Sequence, residues 1–254
     1  MRRAVSSIGN RLPRGWGDLG RQLGLLLVVD LAYETVRGLA DGQRAVAFAN
    51  GRAIMDFERA TGTFFEPGFQ ALFLPMQGII DFANQVYMNS QFAVVLGFFL
   101  WIYLFRNEAF YFVRNMFIAA MGLALVGYVL YPTAPPRLFP EYGFVDTIND
   151  FSGVNHDSAL VKLFINPYAA VPSMHCAFAL MVGASGAFLA RHWCARALWA
   201  MWPLLVVWVV VVTANHYWVD AALGAMVAAM AATAAAALAR ARPQAWSWRT
   251  EAEA

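Results

Sequence analysis

Charge is scarce in this chain. Asp, Glu, Lys and Arg make up 13% of its 254 residues, and 60% are hydrophobic. Soluble domains usually carry about 25% charged residues. A composition this poor in charge, with the charges lying between long apolar runs, excludes an ordinary soluble domain. It predicts an all-α fold, a polytopic helical bundle in a membrane. The net charge is only +2, which argues against nucleic acid or any other bulk polyelectrolyte as a partner. Cysteine is nearly absent. Cys176 and Cys194 flank one apolar run, which as a helix would hold them roughly 27 Å apart. A disulfide spans no more than about 7 Å, so they read as free thiols. Lysine is rarer still: Lys162 stands against seventeen arginines, a bias with no functional reading. Repeats, low-complexity tracts and linkers are missing, so residues 1–254 read as one membrane-embedded domain. No cleavable leader is expected, because Pro13, Gly15 and Gly17 interrupt the arginine-rich start.

What is present is a series of apolar runs. Six spans are predicted, at about 23–39, 75–105, 109–131, 172–190, 197–214 and 217–239, each near the roughly twenty residues that cross a bilayer. Residues 41–73 are amphipathic: Ala45, Phe48, Ile54, Phe57 and Phe64 alternate with arginines and acids, as in helices lying along a membrane surface. Pro132, Pro135 and Pro136 stop the third span and open a polar extracytoplasmic loop, 132–171. With the N-terminus inside, twelve of the eighteen Lys and Arg residues are cytoplasmic and six are outside. Both termini are therefore expected in the cytoplasm. Trp246 and Trp248 read as interfacial anchors.

Two histidines stand out. His175 opens the fourth span in "AVPSMHCAFAL", and His216 closes the fifth in "TANHYWVDAALG". The chain descends one helix, turns at 191–196 and climbs the next by a similar length. Both imidazoles are thus expected at the same outer level, on neighbouring helices. Ionisable groups at such positions are functional candidates. Asp220 lies four residues after His216, on the same helix face. A carboxylate that takes one ring N–H leaves the other nitrogen as a free lone pair, which makes His216 a nucleophile with its orienter. His175 then serves as the proton donor and acceptor. The helix start at Ser173 and Met174, together with Arg137 from the proline-stiffened "YPTAPPRL", offers donors for a phosphate. The combination points to phosphoryl transfer through a phosphohistidine, with a catalytic core at about 110–225.

"PSMH" followed by "HYWVD" resembles the second and third signature blocks of the type-2 phosphatidic acid phosphatase superfamily. "YPTAPPRL", "NPYAAVPSMH" and "TANHYWVDAALG", preceded by "FERATGTFFEP", more closely resemble the bacterial relatives of fungal inositol phosphorylceramide synthase, over roughly residues 55–224. The resemblance implies that His216 is the nucleophile, Asp220 its partner and His175 the acid/base, with no metal or other cofactor in the chemistry. It implies a bacterial inner-membrane enzyme, and the Lys/Arg topology puts its site on the extracytoplasmic side. Two cations of the phosphatase branch are replaced, by Leu130 seven residues before Arg137 and by Val210 six residues before His216. A phosphomonoester carries about −1.5 to −2 charge at neutral pH, and a diester carries one. A site with a single recognised cation suits the diester, provided that neither Arg114 nor Lys162 folds into it. Arg114 falls on the other membrane side in this topology.

The expected activity is transfer of a phosphate-containing headgroup, such as inositol phosphate, from a phospholipid donor to a lipid alcohol or to water. An outer-leaflet lipid phosphate or diphosphate phosphatase is the enzymatic alternative, and a lipid-binding or transport protein the non-enzymatic one. Asp81, Asn84, Gln85 and Asn89, with Tyr87 nearby, form a polar stripe that suits a polyol headgroup or contacts between helices. Asp30, Glu34 and Arg37 read as an internal ion-paired cluster rather than a binding site. The 141–168 segment, with Asp146, Asp150, His156 and Asp157, reads as a solvated loop, with a role in shaping acceptor entry as the alternative. Cys176 reads as a packing residue.

Overall fold

The computed structural model describes residues 12–39, 43–148 and 168–242. Asp150, His156, Asp157, Lys162, Trp246 and Trp248 lie outside the described residues. The elements are α1 (Gly15–Leu39), α2 (Arg44–Ala60), α3 (Glu66–Phe73), α4 (Gln77–Asn89), α5 (Val95–Phe105), α6 (Asn107–Leu130), α7 (Met174–Leu189), α8 (Trp193–Val212) and α9 (Trp218–Ala241). The one β pairing among the described residues is a parallel bridge between Thr133 and Ala169. The fold is all-helical, as the composition predicts.

Among the described residues three helices, α6, α8 and α9, are long and apolar enough to cross a bilayer. A fourth span arises if α4 and α5 count as one, bent by 53°. The bend falls at a π-helical segment, Ser90–Val94, an irregularity that breaks the regular ladder. These helices mark an integral membrane protein, but the expected six spans are not reached on length and apolarity. With 16 residues, α7 is short, about 24 Å at the helical rise against a hydrocarbon core of about 30 Å. In turn, α1 carries Asp18, Arg21, Asp30, Glu34 and Arg37 along its 25 residues.

The central unit is the hairpin of α7 and α8. Gly183 faces Pro203 and Trp199 of α8, and Gly186 lies against the Trp199 ring, so the two helices approach backbone to side chain. On its other side α7 receives α9 and α6. A Cβ at Gly224 would run into the Ser173 carbonyl, so only glycine lets the start of α9 sit this close to the start of α7. Two polar contacts tie α1 along α6: Arg114 donates to Gln22 at one end, and the Tyr33 hydroxyl meets that of Tyr128 at the other, 3.3 Å away.

The amphipathic region folds as α2 and α3. Ala45 and Phe57 are exposed, while Ala47, Gly51, Ile54, Met55 and Glu58 are buried. This face packs on the segment after α6. The Ala134 N–H donates to the Ala47 carbonyl (3.0 Å), and Asn50 donates to that of Pro132 (2.8 Å). Gln70 on α3 clamps Val145, giving one hydrogen bond to its carbonyl (2.9 Å) and taking one from its N–H (3.0 Å). The loop that carries Arg137 is thus held between α2, α3 and the end of α8.

Candidate active site

The α7–α8 hairpin does what its two lengths imply. His175 stands in the first turn of α7 and His216 in the turn after α8. Their rings lie 5.8 Å apart, centroid to centroid. His216 Nδ1 lies 3.3 Å from Asp220 Oδ2, which also accepts the Tyr217 N–H at 3.1 Å. With Nδ1–H donated to the carboxylate, Nε2 keeps its lone pair. Burial, with a smaller contribution from Arg137, pushes the His216 pKa down to about 4, so the ring is neutral near pH 7.

The turn that presents His216 is tightly held. Ala214 adopts φ +52°, a conformation that a non-glycine residue takes at a cost of roughly 1–2 kcal/mol. That geometry turns the Ala214 carbonyl toward the Arg137 N–H (2.8 Å). The His216 loop and the Arg137 loop are therefore joined backbone to backbone. The Arg137 side chain reaches Asp146 Oδ2 at 3.0 Å through Nη1. Its buried Nε has no acceptor among the described residues. One face of the guanidinium is anchored, and a donor remains for an anionic oxygen.

These groups share a cavity of about 450 Å3. His175, His216, Arg137, Met174, Tyr87 and Asn215 line it, as do Asp30, Tyr33, Glu34, Arg37 and Tyr128. Ser173 does not. It is the N-cap of α7: its Oγ accepts the Cys176 N–H (3.4 Å) and its own N–H donates to the Asp220 carbonyl (3.2 Å). Pro172 lies outside the helix, and its carbonyl accepts the Tyr128 hydroxyl (3.2 Å). Cys176 packs in the α7–α8 interface, as expected.

The polar stripe of α4 is mostly turned elsewhere. Asn84 is buried in a reciprocal pair with Thr147 (2.9 and 3.0 Å), and Asp81 accepts from Gln77 (2.8 Å). Asn89 bonds the Gln85 carbonyl (3.1 Å) on an exposed surface. Only Tyr87 reaches the cavity, where its ring stacks on His175 at 4.3 Å and 21°. The replaced cations also lie elsewhere: Leu130 is exposed and Val210 is buried in the α7–α8 core. Arg114 bonds Gln22 and Asn115, away from the cavity lining.

Two features were not read from the sequence. The first is that α1 forms part of the cavity that holds His175 and His216. The second lies behind Asp220, where Glu58 and Glu66 are both fully buried. Glu66 accepts the Trp218 N–H (3.2 Å) and the Phe65 N–H (3.0 Å), so it caps the start of α9 beside Asp220. Neither oxygen of Glu58 makes a hydrogen bond of ordinary length. Burial and the neighbouring Glu66 and Asp220 push its carboxyl well above the usual range. The spacing Ala47, Gly51, Met55, Glu58 traces one helix face and was the signal available for Glu58.

A family model described as PAP2 superfamily matches residues 52–234, from α2 to near the end of α9. The chain belongs to this superfamily of lipid-type phosphatases and phosphotransferases. The comparisons find no curated protein and no solved structure that matches it.

Proposed function

We propose that the protein is a lipid headgroup phosphotransferase that works through a phosphohistidine on a phosphodiester lipid. The observation that carries this reading is the pair of imidazoles 5.8 Å apart in one cavity, one of them oriented by Asp220. In the first step His216 Nε2 donates its lone pair to phosphorus and the bond from phosphorus to the lipid alcohol oxygen breaks. Protonated His175 gives its proton to that oxygen, and Asp220 stabilises the cationic ring of the phosphorylated His216. In the second step an acceptor hydroxyl attacks phosphorus and passes its proton to His175. The P–N bond breaks and His216 is regenerated. Arg137 holds the non-bridging oxygens through its remaining donors, and Met174 sits beside them at the open start of α7. Ser173 acts indirectly, as the cap that keeps His175 in place.

Charge favours a diester over a monoester. The two arginines of the lining are matched by two carboxylates, Asp30 and Glu34. Such a lining suits a monoanion better than a dianion. The resemblance to bacterial relatives of inositol phosphorylceramide synthase supports a polyol-phosphate headgroup and a lipid alcohol acceptor. The catalytic cavity is assigned to the extracytoplasmic leaflet of a bacterial inner membrane, with both termini inside.

The test is direct. Purified protein is incubated with phosphatidylinositol or phosphatidic acid, with and without ceramide, and the products are identified by mass spectrometry. Headgroup transfer or release from the diester is the expected result. Inorganic phosphate from the monoester, with an inert diester, would establish the phosphatase reading instead. EDTA is expected to leave turnover intact.

A further inference from the structure

The sequence offers α4 as the wall that recognises the headgroup, and the fold turns most of that stripe away. Another polar wall takes its place. Asp30, Glu34 and Arg37 are spaced four and three residues apart, on one face of α1 with Tyr33. All four line the cavity that holds His175, His216 and Arg137. Arg37 lies within electrostatic range of both Tyr87 and His175. The stretch of α1 before and beside Asp30 exposes Leu23, Leu27, Val28 and Leu31. Charges are costly next to such an exposed apolar stretch, and they point to a function. The phosphoryl transfer described above uses none of the three.

Their chemistry narrows the ligand. Glu34 Oε2 and Arg37 Nη2 pair at 2.8 Å, and each side chain keeps about a quarter of its surface open, 24% and 22%. Two carboxylates against one guanidinium disfavour a second anion. A quaternary ammonium would seek open aromatic faces. Here the Tyr87 ring is stacked on His175, and the Arg37 guanidinium lies 5.9 Å from the centroid of the Tyr33 ring. Two arginines in the same lining also repel a cation. Neutral hydroxyls meet neither objection. Each donates to a carboxylate and accepts from a guanidinium, and alternating acid and base suits several hydroxyls on one ring or chain.

We infer that the Asp30, Glu34 and Arg37 face of α1 binds the hydroxyls of a neutral polyol group carried by one of the lipid substrates. This rests on the phosphotransfer reading for its place in catalysis, but binding can be measured without turnover. The probes are myo-inositol 1-phosphate and phosphocholine, titrated calorimetrically into the full-length protein in detergent micelles. The variants are Asp30→Asn and Glu34→Gln, which keep size and remove charge. Loss of one charged hydrogen bond corresponds to about tenfold or more in affinity. The wild type is expected to prefer inositol phosphate, and each variant to lower that preference about tenfold. Equal affinity for both probes in the wild type, or equal losses for both in the variants, would overturn the assignment. In the turnover assay, competition of inositol phosphate with the donor lipid places the polyol on the donor, and competition with the acceptor places it there. Either result supports the wall, and absence of competition in an active preparation counts against it. A protein that binds inositol phosphate but turns over no lipid keeps the wall and rejects the enzyme.

Discussion

Two buried polar clusters, one between α1 and α6 and one around His216, differ in how completely their groups are matched. In the first, Asp18 accepts from Gln22 (3.0 Å), Tyr103 (3.0 Å) and Tyr111 (2.9 Å), while Arg114 donates to Gln22 and Asn115. Buried charge is tolerated there because its lone pairs and protons are met by protein. In the second, around His216, Asp220 Oδ1 and Arg137 Nε are buried without a partner among the described residues. Native interiors rarely leave such groups unmatched, and an exception asks for an explanation. Full saturation marks a cluster that holds helices together. Partial saturation beside an open cavity is the pattern expected of a cluster that binds a ligand.

Mutation separates the two. His216→Ala is expected to cut turnover about 1,000-fold or more with the melting temperature of the detergent-solubilised protein nearly unchanged; a folded variant with wild-type rates would remove the nucleophile from the scheme. Asp220→Asn keeps the shape and loses the charge that favours the correct tautomer. A fall in kcat of about 100-fold or more is expected in a steady-state assay. Arg137→Gln removes one anionic contact, for about 10- to 100-fold in kcat/KM. Arg114→Met reverses the pattern: an apparent loss of about 3 kcal/mol in stability, as unpaired Gln22 and Asn115 remain buried. Its surviving folded fraction should turn over at the normal rate, measured per folded molecule. A normal melting temperature with lost activity would erase the distinction between the clusters.

The smallest effect is a pH slope. Glu58 holds its proton in the folded state over a range where the unfolded chain releases it from an ordinary value of 4.5. The folded state binds more protons there, so stability falls as pH rises above about 4.5. Glu66 on α3, and Asp220 and Tyr217 at the start of α9, are the titratable groups that face it. Glu58→Gln should flatten the difference between melting temperatures at pH 5 and pH 8. An unchanged slope would place the proton elsewhere. His216 works in the opposite sense. Its lowered pKa makes the folded state reluctant to take a proton, so its contribution is complete above pH 6.5 and declines as pH falls toward about 4.

Much of the site was legible before any coordinates. The His216–Asp220 relation is local, since four residues on a helix face one way. The meeting of His175 and His216 needed only two adjacent apolar runs of similar length with a short turn between them. Rotation about a helix axis was harder to read. Asp81, Asn84, Gln85 and Asn89 share a face, but nothing in their spacing states which neighbour that face meets. The fold gave Asn84 to Thr147 and left Gln85 and Asn89 at the surface. The count of six spans goes beyond what length and apolarity support where charge or shortness interrupts the apolar run, in α1 and α7.

Composition and spacing by themselves determined the membrane class, the antiparallel pairing of the two histidine helices and the dyad of His216 with Asp220, because these follow from periodicity and segment length. Tertiary structure alone decided that α1 lines the cavity of the two histidines, that Ser173 is a cap, and that Glu58 and Glu66 lie behind Asp220. Each of these joins residues far apart in the chain. Their meeting depends on how helices roll and pack against one another, a property of the whole bundle that no local pattern encodes.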